Sequence, residues 1–345
     1  MASGTTAYWG PADRDKPEKW CHMTSARRAS DNGTSWAASS PEQAELARTT
    51  DRFFAGLHKL DGPLTTELRM MADDLVGAGM PRPLARRHLS AIMSVDDPGP
   101  ELRALFSSSL GQHLLPSVAA LDMDQGGRNL HKDTLAHSIT VAAQCPRRLR
   151  ARWAGLLHDV GKAPTRRING ARVTFYGHEA IGQGIARSTM LSLGYGEAFA
   201  SQVAKLVGIS GRTHNFDGTW TDSAIRRFIT DAGELVEDVL DLSRADCTSK
   251  RPGRRDQVLA QVGAVAARID AVLALDKRRS LRPALDGEEI MDLLNLAPGP
   301  AVGRAYKHLL EEARAGRQLG KDEARELLVD WWAEAGAEAS TAARD

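Results

Sequence analysis

The sequence has few cysteines, no excess of charge of either sign and no long apolar run. Its three cysteines, Cys21, Cys145 and Cys247, lie far apart without a C-x-x-C pair, which argues against a disulfide framework or a thiolate zinc site. Lys and Arg total 45 against 44 Asp and Glu, so the chain is neither polybasic nor strongly acidic. No uninterrupted apolar run approaches the roughly 18 residues of a membrane span, and no signal peptide is recognisable. We expect a soluble, cytoplasmic protein that does not contact a membrane.

The 345 residues are enough for two or three compact pieces, and four segments are predicted. They are a flexible leader at 1–45, a helical N-terminal region at 46–100, a central domain at 101–265 and a helical C-terminal region at 266–345. The leader is mostly polar, and it contains Met23, a second candidate start besides Met1. The proline-rich turn Asp96–Pro100 sets the boundary before the central domain.

Helical periodicity predicts an all-α fold, a helical bundle with one short β-hairpin near 165–175. Phe53, Phe54, Leu57 and Leu60 form one apolar stripe, and Leu64, Leu68, Met71 and Leu75 form another. Further helices are predicted at about 101–110, 132–144, 148–160, 178–192, 196–208, 222–232, 234–247 and 255–275, with two or three more between 287 and 335. Asn169-Gly170 is typical of the tight turn that joins two hairpin strands.

A set of histidines and aspartates in the central domain indicates chemistry. The set comprises His137, His158, Asp159, His178, His214 and Asp246. His158-Asp159 ends an otherwise apolar helical segment, so two polar groups at the edge of the core need a partner. A divalent metal fits, because imidazole nitrogens and carboxylate oxygens on separate helices can converge on one ion. Gly161 then permits a sharp turn, and Lys162 can reach an anion held by the metal.

The other histidines carry no such pattern. A lone histidine is more often a surface or satisfied core residue, and this is how we interpret His22, His58, His88, His113, His131 and His308. His137 alone would be interpreted in the same way. Its spacing before His158-Asp159-Val160-Gly161-Lys162 and the later Asp246 makes a metal site the better interpretation.

The pattern of His, then His-Asp, then a distant Asp resembles the HD phosphohydrolase superfamily. Over roughly residues 102 to 336 the chain further resembles the C-terminal neck, HD and tail regions of bacterial CCA-adding tRNA nucleotidyltransferases. The motifs that carry this resemblance are Leu114–Leu121, His131–Ser138, Leu156–Arg167, Trp220–Arg227, Arg244–Thr248, Asp286–Met291 and Pro298–Gly303.

The nucleotide-adding head of that family has a Gly-rich turn followed by an Asp-x-Asp pair on a strand, and no strand-rich segment precedes residue 100. Asp122-Met123-Asp124 has the right letters, but Gly126-Gly127 follows it instead of preceding it, so we interpret it as a loop. Nucleotide addition is therefore not expected.

The resemblance implies a metal site that binds one or two ions. His137, His158, Asp159 and Asp246 would hold the first ion, and His178 and His214 the second, with Asp159 bridging. Fe, Mn, Co, Ni, Mg and Zn all remain candidates. Asp159 and Lys162 are the candidate catalytic residues, and Lys162, Arg166 and Arg212 are the candidate phosphate contacts. Relatives of this type often have another histidine near position 210, where this chain has Ser210.

Three functional hypotheses follow. The first is a phosphohydrolase acting on a nucleotide, such as a nucleoside monophosphate, or on another phosphate ester. The second is an HD-type diiron oxygenase, which splits a carbon–carbon or carbon–phosphorus bond. The third is a tRNA-binding remnant without catalysis, whose basic face would comprise Arg147, Arg148, Arg150, Arg152, Arg226 and Arg227, although a solvated helix surface also explains these arginines. We place the hydrolase first, because the resemblance implies relatives that are hydrolytic in this domain. The presence of every metal ligand argues against a remnant without catalysis.

Overall fold

The computed structural model describes residues 38–123, 133–169, 172–216, 218–248, 253–317 and 319–341. These residues are mostly helical, with one two-stranded antiparallel sheet, which confirms the predicted all-α class. Residues 1–37 of the predicted leader lie outside the described residues. The chain divides into two compact units, Met1–Arg268 and Ile269–Asp345. The four segments predicted from the sequence stay predictions.

Six α-helices precede His137 among the described residues. They are α1 (Pro41–His58), α2 (Thr66–Gly77), α3 (Arg86–Ile92), α4 (Gly99–Phe106), α5 (Ser109–Leu114) and α6 (Pro116–Ala119). The Ser40 side chain caps α1 by accepting a hydrogen bond from the backbone N–H of Gln43. Both predicted apolar stripes face inward, and Phe53 and Leu75 are fully buried. Their core continues through Trp153 and Val207, so these helices share one apolar interior with the later segments that carry those two residues.

The metal-site residues come from the next group of elements. These are α7 (Thr134–Gln144), α8 (Leu149–Leu157), α9 (Lys162–Thr165), β1 (Arg167–Asn169), β2 (Arg172–Thr174), α10 (His178–Ser192), α11 (Glu197–Ile209), α12 (Asp222–Ala232), α13 (Val236–Ala245) and α14 (Arg254–Ser280). Helices α7 and α8 cross closely at Gly155, where an added Cβ would lie 3.0 Å from both the Ala142 Cα and the Cys145 Sγ. A short 3-10 turn, Thr213–Asn215, carries His214.

The predicted hairpin is present, with Ile168 paired to Val173 in antiparallel register. Gly170 of its predicted turn lies outside the described residues. Three predicted helices are shorter than expected. The helix predicted at 101–110 ends at Phe106, and a separate helix begins at Ser109. The helix predicted at 148–160 ends at Leu157. The helix predicted at 234–247 begins at Val236, after the 3-10 turn Gly233–Leu235, in which Gly233 has a φ of 60°.

A fully buried arginine ties the turn before α4 to helix α8. Arg152 is 1% exposed, and its guanidinium donates hydrogen bonds to the carbonyls of Met93 (3.0 Å), Asp96 (2.9 Å), Cys145 (3.3 Å) and Val95. These bonds compensate the cost of removing the charge from water. Arg152 is therefore a structural residue and does not contribute to a basic surface.

After α14, whose last residues fall in the second unit, the described residues of that unit form three helices, the upper number of the sequence prediction. They are α15 (Gly287–Leu294), α16 (Pro300–Arg314) and α17 (Lys321–Thr341). Asp286 and Glu289 form a capping box at the start of α15. Ile290, Leu309 and Leu328 meet in the core of this unit.

Helix α14 is the one helix among the described residues that is long and apolar enough, by length and composition alone, to cross a membrane. Its Val262 and Val265 are buried within the protein. Arg268, near its middle, pairs with Asp222 at 2.7 Å. The core helix of a soluble protein can have the same length and composition, so these two properties are weak evidence that α14 spans a membrane.

Candidate metal centre

The structure brings together all six histidines and aspartates that the sequence singles out. His137 lies on α7, His158 and Asp159 directly follow α8, His178 begins α10, His214 lies in the 3-10 turn, and Asp246 follows α13. Residues more than 100 positions apart in the chain thus form one cluster.

Two histidines form the buried, inner part of this cluster. The His137 Nε2 atom lies 2.9 Å from the Asp246 Oδ1 atom and 3.8 Å from the Asp159 Oδ2 atom. The His158 Nε2 atom lies 3.4 Å from each of the same two oxygens. Ligand atoms of His137, His158 and Asp246 all lie within 4.8 Å of one another, which is close enough for one ion to bind all three.

The other two histidines, His178 and His214, lie near the remaining oxygens of the same two carboxylates and form the outer part of the cluster. The His178 Nε2 atom lies 3.9 Å from the Asp159 Oδ1 atom, and the His214 Nε2 atom lies 3.5 Å from the Asp246 Oδ2 atom. Their side chains are 23% and 41% exposed, against 5% for His137 and His158. Each carboxylate therefore presents one oxygen to the inner pair and the other to a single outer histidine.

Three of the four imidazole rings are oriented by a partner at Nδ1. His158 Nδ1 lies 2.8 Å from the Gly155 carbonyl, and His178 Nδ1 lies 2.9 Å from the Phe175 carbonyl. A carbonyl can only accept, so Nδ1 carries the proton and Nε2 of the neutral ring keeps its lone pair. His137 Nδ1 lies 3.0 Å from the Thr248 hydroxyl. Metal-ligating histidines are typically held in this way.

The charges of the cluster are those expected of a cation site. Burial disfavours ionisation of Asp246, but His158 and His137 outweigh it and hold the pKa of this carboxyl well below its ordinary value. The pKa of Asp159 is also lowered, because His158 and Lys162 outweigh its burial. Burial opposes protonation of His158, yet Asp159 and Asp246 raise its pKa to about 9. A divalent ion would supply to Asp159 and Asp246 the positive charge that a protonated His158 supplies, so the donor set fits a metal.

Gly161 positions the outer pair through close packing. An added Cβ at Gly161 would lie 1.9 Å from the His178 carbonyl oxygen and 2.7 Å from the Gly182 nitrogen. Gly161 lies in a turn, as predicted, but its φ of −71° is open to any residue, so its backbone conformation does not require glycine. The need for glycine arises instead because the turn after Asp159 touches the first turn of α10.

The three predicted phosphate contacts differ in placement. Lys162 Nζ lies 2.7 Å from the Asp159 Oδ2 atom and 5.8 Å from the centre of the Phe175 ring. Arg166 joins α9 to β1, and its buried Nε has no hydrogen-bond partner among the described residues. Arg212 pairs with Asp231 at 2.5 Å, so its guanidinium is held by a carboxylate outside the cluster.

Three of the six arginines of the hypothetical basic face pair with acids. Arg148 and Arg150 both contact the buried carboxylate of Asp238, at 2.7 and 2.5 Å. Arg148 also pairs with Asp241, and Arg147 pairs with Asp96 at 2.6 Å. Together with the buried Arg152, these contacts weaken the interpretation of the segment as a nucleic-acid surface.

Sequence reasoning misses several residues that support the cluster. Thr248 contacts His137, and Glu179 Oε2 lies 3.3 Å from His178 Nδ1. Gln261 of α14 donates to the backbone of the turn that carries His214. Of these residues, Glu179 is the one whose position in the sequence points to the site, because it directly follows His178.

Ser210, where relatives often have a histidine, is buried and donates to the Val207 carbonyl at 2.9 Å.

Comparison with known proteins agrees with this geometry. Residues 134–272 match the HD domain family. A CC-adding tRNA nucleotidyltransferase from Thermus thermophilus is 36% identical over 227 residues, which cover 63% of this chain and 49% of that protein. An A-adding tRNA nucleotidyltransferase from Deinococcus radiodurans is 31% identical over 279 residues, which cover 77% of this chain and 63% of that protein.

The matches thus span about half to two thirds of the length of these relatives. The HD domain is a fold of the metal-dependent hydrolase type, and the His/His/Asp group of this chain lies within the matched residues. The chain carries an HD domain and resembles the HD region of the tRNA nucleotidyltransferases that add CC or A.

Proposed function

We propose that this protein is a metal-dependent phosphohydrolase that releases phosphate from a nucleotide, such as a nucleoside monophosphate, or from a related phosphate ester. The observation that carries the proposal is the arrangement of Asp159 and Asp246. Each has one oxygen toward the buried histidine pair and the other toward one outer histidine, His178 for Asp159 and His214 for Asp246. This arrangement supports two metal ions side by side, at the boundary between the core and solvent.

The residues that would hold the ions follow from these contacts. His137 and His158 would bind an inner ion with one oxygen of each carboxylate, and His178 and His214 would bind an outer ion with the other oxygens. Divalent ions in such sites supply activation of water and neutralisation of the charge on phosphoryl oxygens. The Gly155 and Phe175 carbonyls keep two of the rings turned toward the site.

Two cationic side chains favour a phosphate substrate. Lys162 lies against Asp159 at the site and is 17% exposed, so it can donate to an anion there. The buried Arg166 Nε lacks an acceptor among the described residues, and leaving a buried donor unpaired costs about 1–3 kcal/mol. We assign both residues to the substrate phosphate. Arg212, held by Asp231, is the weaker candidate.

A phosphate-release screen tests the proposal directly. Nucleoside monophosphates and other phosphate esters would be incubated with the full chain and Ni, Co, Mn, Mg or Fe, with oxygen uptake followed in parallel. We expect metal-dependent phosphate release that Asp159→Ala abolishes. Iron-dependent oxygen uptake without phosphate release would overturn the hydrolase in favour of the oxygenase hypothesis.

The number of ions is tested separately by metal content. Replacing both His178 and His214 with alanine should lower bound metal from about two ions per chain to about one, because the inner ligands remain. Activity should fall steeply. The same metal content and turnover in the parent and the double variant would show that these histidines are not ligands.

A further inference from the structure

A glutamine on helix α14 holds the turn that carries the outermost histidine. The Gln261 Nε2 atom lies 3.2 Å from the Thr213 carbonyl, 3.1 Å from the His214 carbonyl and 2.6 Å from the Phe216 carbonyl. All three neighbours can only accept, so the amide nitrogen, and not the amide oxygen, faces the turn. The two N–H groups of one side chain are thus shared among three backbone carbonyls around His214.

The turn needs such support because of its length. Thr213–Asn215 is a 3-10 turn of three residues, and no side chain caps its start. Short 3-10 turns have poor hydrogen-bond geometry and depend on their surroundings. The Thr213 hydroxyl donates to Ser243 Oγ at 2.6 Å, and Ser243 donates to the Val239 carbonyl at 2.7 Å. Helix α13 therefore anchors one side of the turn, and Gln261 anchors the backbone of His214 itself.

We propose that Gln261 is a positioning residue that sets the affinity of the outer metal site through His214. The inference rests on the proposed two-ion function. His137, His158 and His178 are oriented by partners at Nδ1, whereas the 41% exposed His214 depends on how its backbone is held. Loosening this backbone moves Nε2 away from the Asp246 Oδ2 atom, now at 3.5 Å. The inner pair, which lies on α7 and after α8, does not depend on this turn.

The test compares metal binding by three variants of the full chain. Gln261→Leu removes the donors and keeps most of the volume, Gln257→Leu alters an exposed glutamine of the same helix as a matched control, and His214→Ala removes the ligand. Each would be titrated with Co²⁺, with the visible absorption and the bound cobalt measured together. We expect two ions in the parent and in Gln257→Leu. Gln261→Leu should keep the tighter ion and bind the second about 10- to 100-fold more weakly.

The outcomes distinguish this inference from the proposed function. If His214→Ala loses the second ion while Gln261→Leu binds both as the parent does, the role of Gln261 is overturned and the two-ion site stands. If His214→Ala still binds two ions, the two-ion assignment itself fails. Equal weakening of both ions in Gln261→Leu would show general damage and overturn a specific role. Gln261→Glu, which keeps the size but faces the carbonyls with an acceptor, repeats the test if the leucine variant does not fold.

Discussion

Gly161 and His178 touch through their backbones. An added Cβ at Gly161 would lie 1.9 Å from the His178 carbonyl oxygen, far closer than two such atoms can approach. Because Gly161 is two residues after Asp159, this contact sets the separation of Asp159 and His178. The 3.9 Å distance between the His178 Nε2 and the Asp159 Oδ1 atoms therefore depends on the absence of one methyl group.

Gly161→Ala should weaken the outer metal site. The new methyl group must push the start of α10 away from the turn after Asp159, and with it His178. We expect the second ion to be lost or bound at least about 10-fold more weakly, a scale typical of disturbed ligand support. Metal content and cobalt titration measure this loss.

Gly184→Ala on the same helix is the matched control. No heavy atom lies within 4 Å of a Cβ added there, and alanine favours the helix by roughly 0.5–1 kcal/mol over glycine. It should bind metal as the parent does. Two ions bound with parental affinity by Gly161→Ala would contradict the packing argument.

Chelation should lower the thermal stability of the metal-loaded protein. An ion that binds only the folded state adds about 2.7 kcal/mol of stability at a concentration of 100 Kd. We expect the Tm to fall by several degrees when the ions are removed. Differential scanning calorimetry with and without chelator measures the change. Asp159→Ala lacks the carboxylate shared by both parts of the cluster, so its Tm should not respond, and a response equal to the parent's would argue against the site.

Arg152→Met should strongly destabilise the fold. It keeps an unbranched apolar side chain but removes the donors to four backbone carbonyls, two of them in buried contacts, and each buried group left unpaired costs about 1–3 kcal/mol. We expect the free energy of unfolding to fall by about 3 kcal/mol or more in urea titrations. Arg147→Ala removes an exposed ion pair and should change little. Similar losses in the two variants would contradict the structural role of Arg152.

The Cys145 thiol should stay unreactive in the folded protein. Burial, with a smaller contribution from Asp241, raises its pKa to about 12. Iodoacetamide should therefore modify it slowly from pH 7 to pH 10, and rapidly after unfolding, as mass spectrometry of the cysteine peptide can measure. A native rate that rises with a midpoint near pH 9 would contradict the burial of this thiol.

The same shift makes stability depend on pH. In the unfolded state the Cys145 thiol ionises near roughly pH 8.5. Between that pH and about 12, the folded state therefore keeps the thiol proton that the unfolded state has lost. The contribution of Cys145 to stability is therefore complete below about pH 8.5 and falls as pH rises through this window, by up to about 1.4 kcal/mol per pH unit.

The helices and the six clustered histidines and aspartates could be predicted because each leaves a periodic or motif signal in the sequence. Gln261 leaves none, and Thr248 belongs to the Arg244–Thr248 motif without any sign of its contact with His137, since the partners of both residues lie far along the chain. Arg212 and Arg148 look free in sequence because the acids that pair with them, Asp231 and Asp238, are brought close only by folding. Long-range pairing of this kind is a property of the fold and not of local sequence.

The difference in exposure between the two histidine pairs has a consequence for the kinetics of metal exchange. An ion held by His137 and His158 would be surrounded by side chains that are 5% exposed, so its departure requires local opening of the core. An ion held by His178 and His214 would face solvent directly. The inner ion should then survive dialysis for far longer than the outer one. A preparation freed of loose metal would contain a half-loaded protein, whose activity returns with the free concentration of divalent ions in the medium.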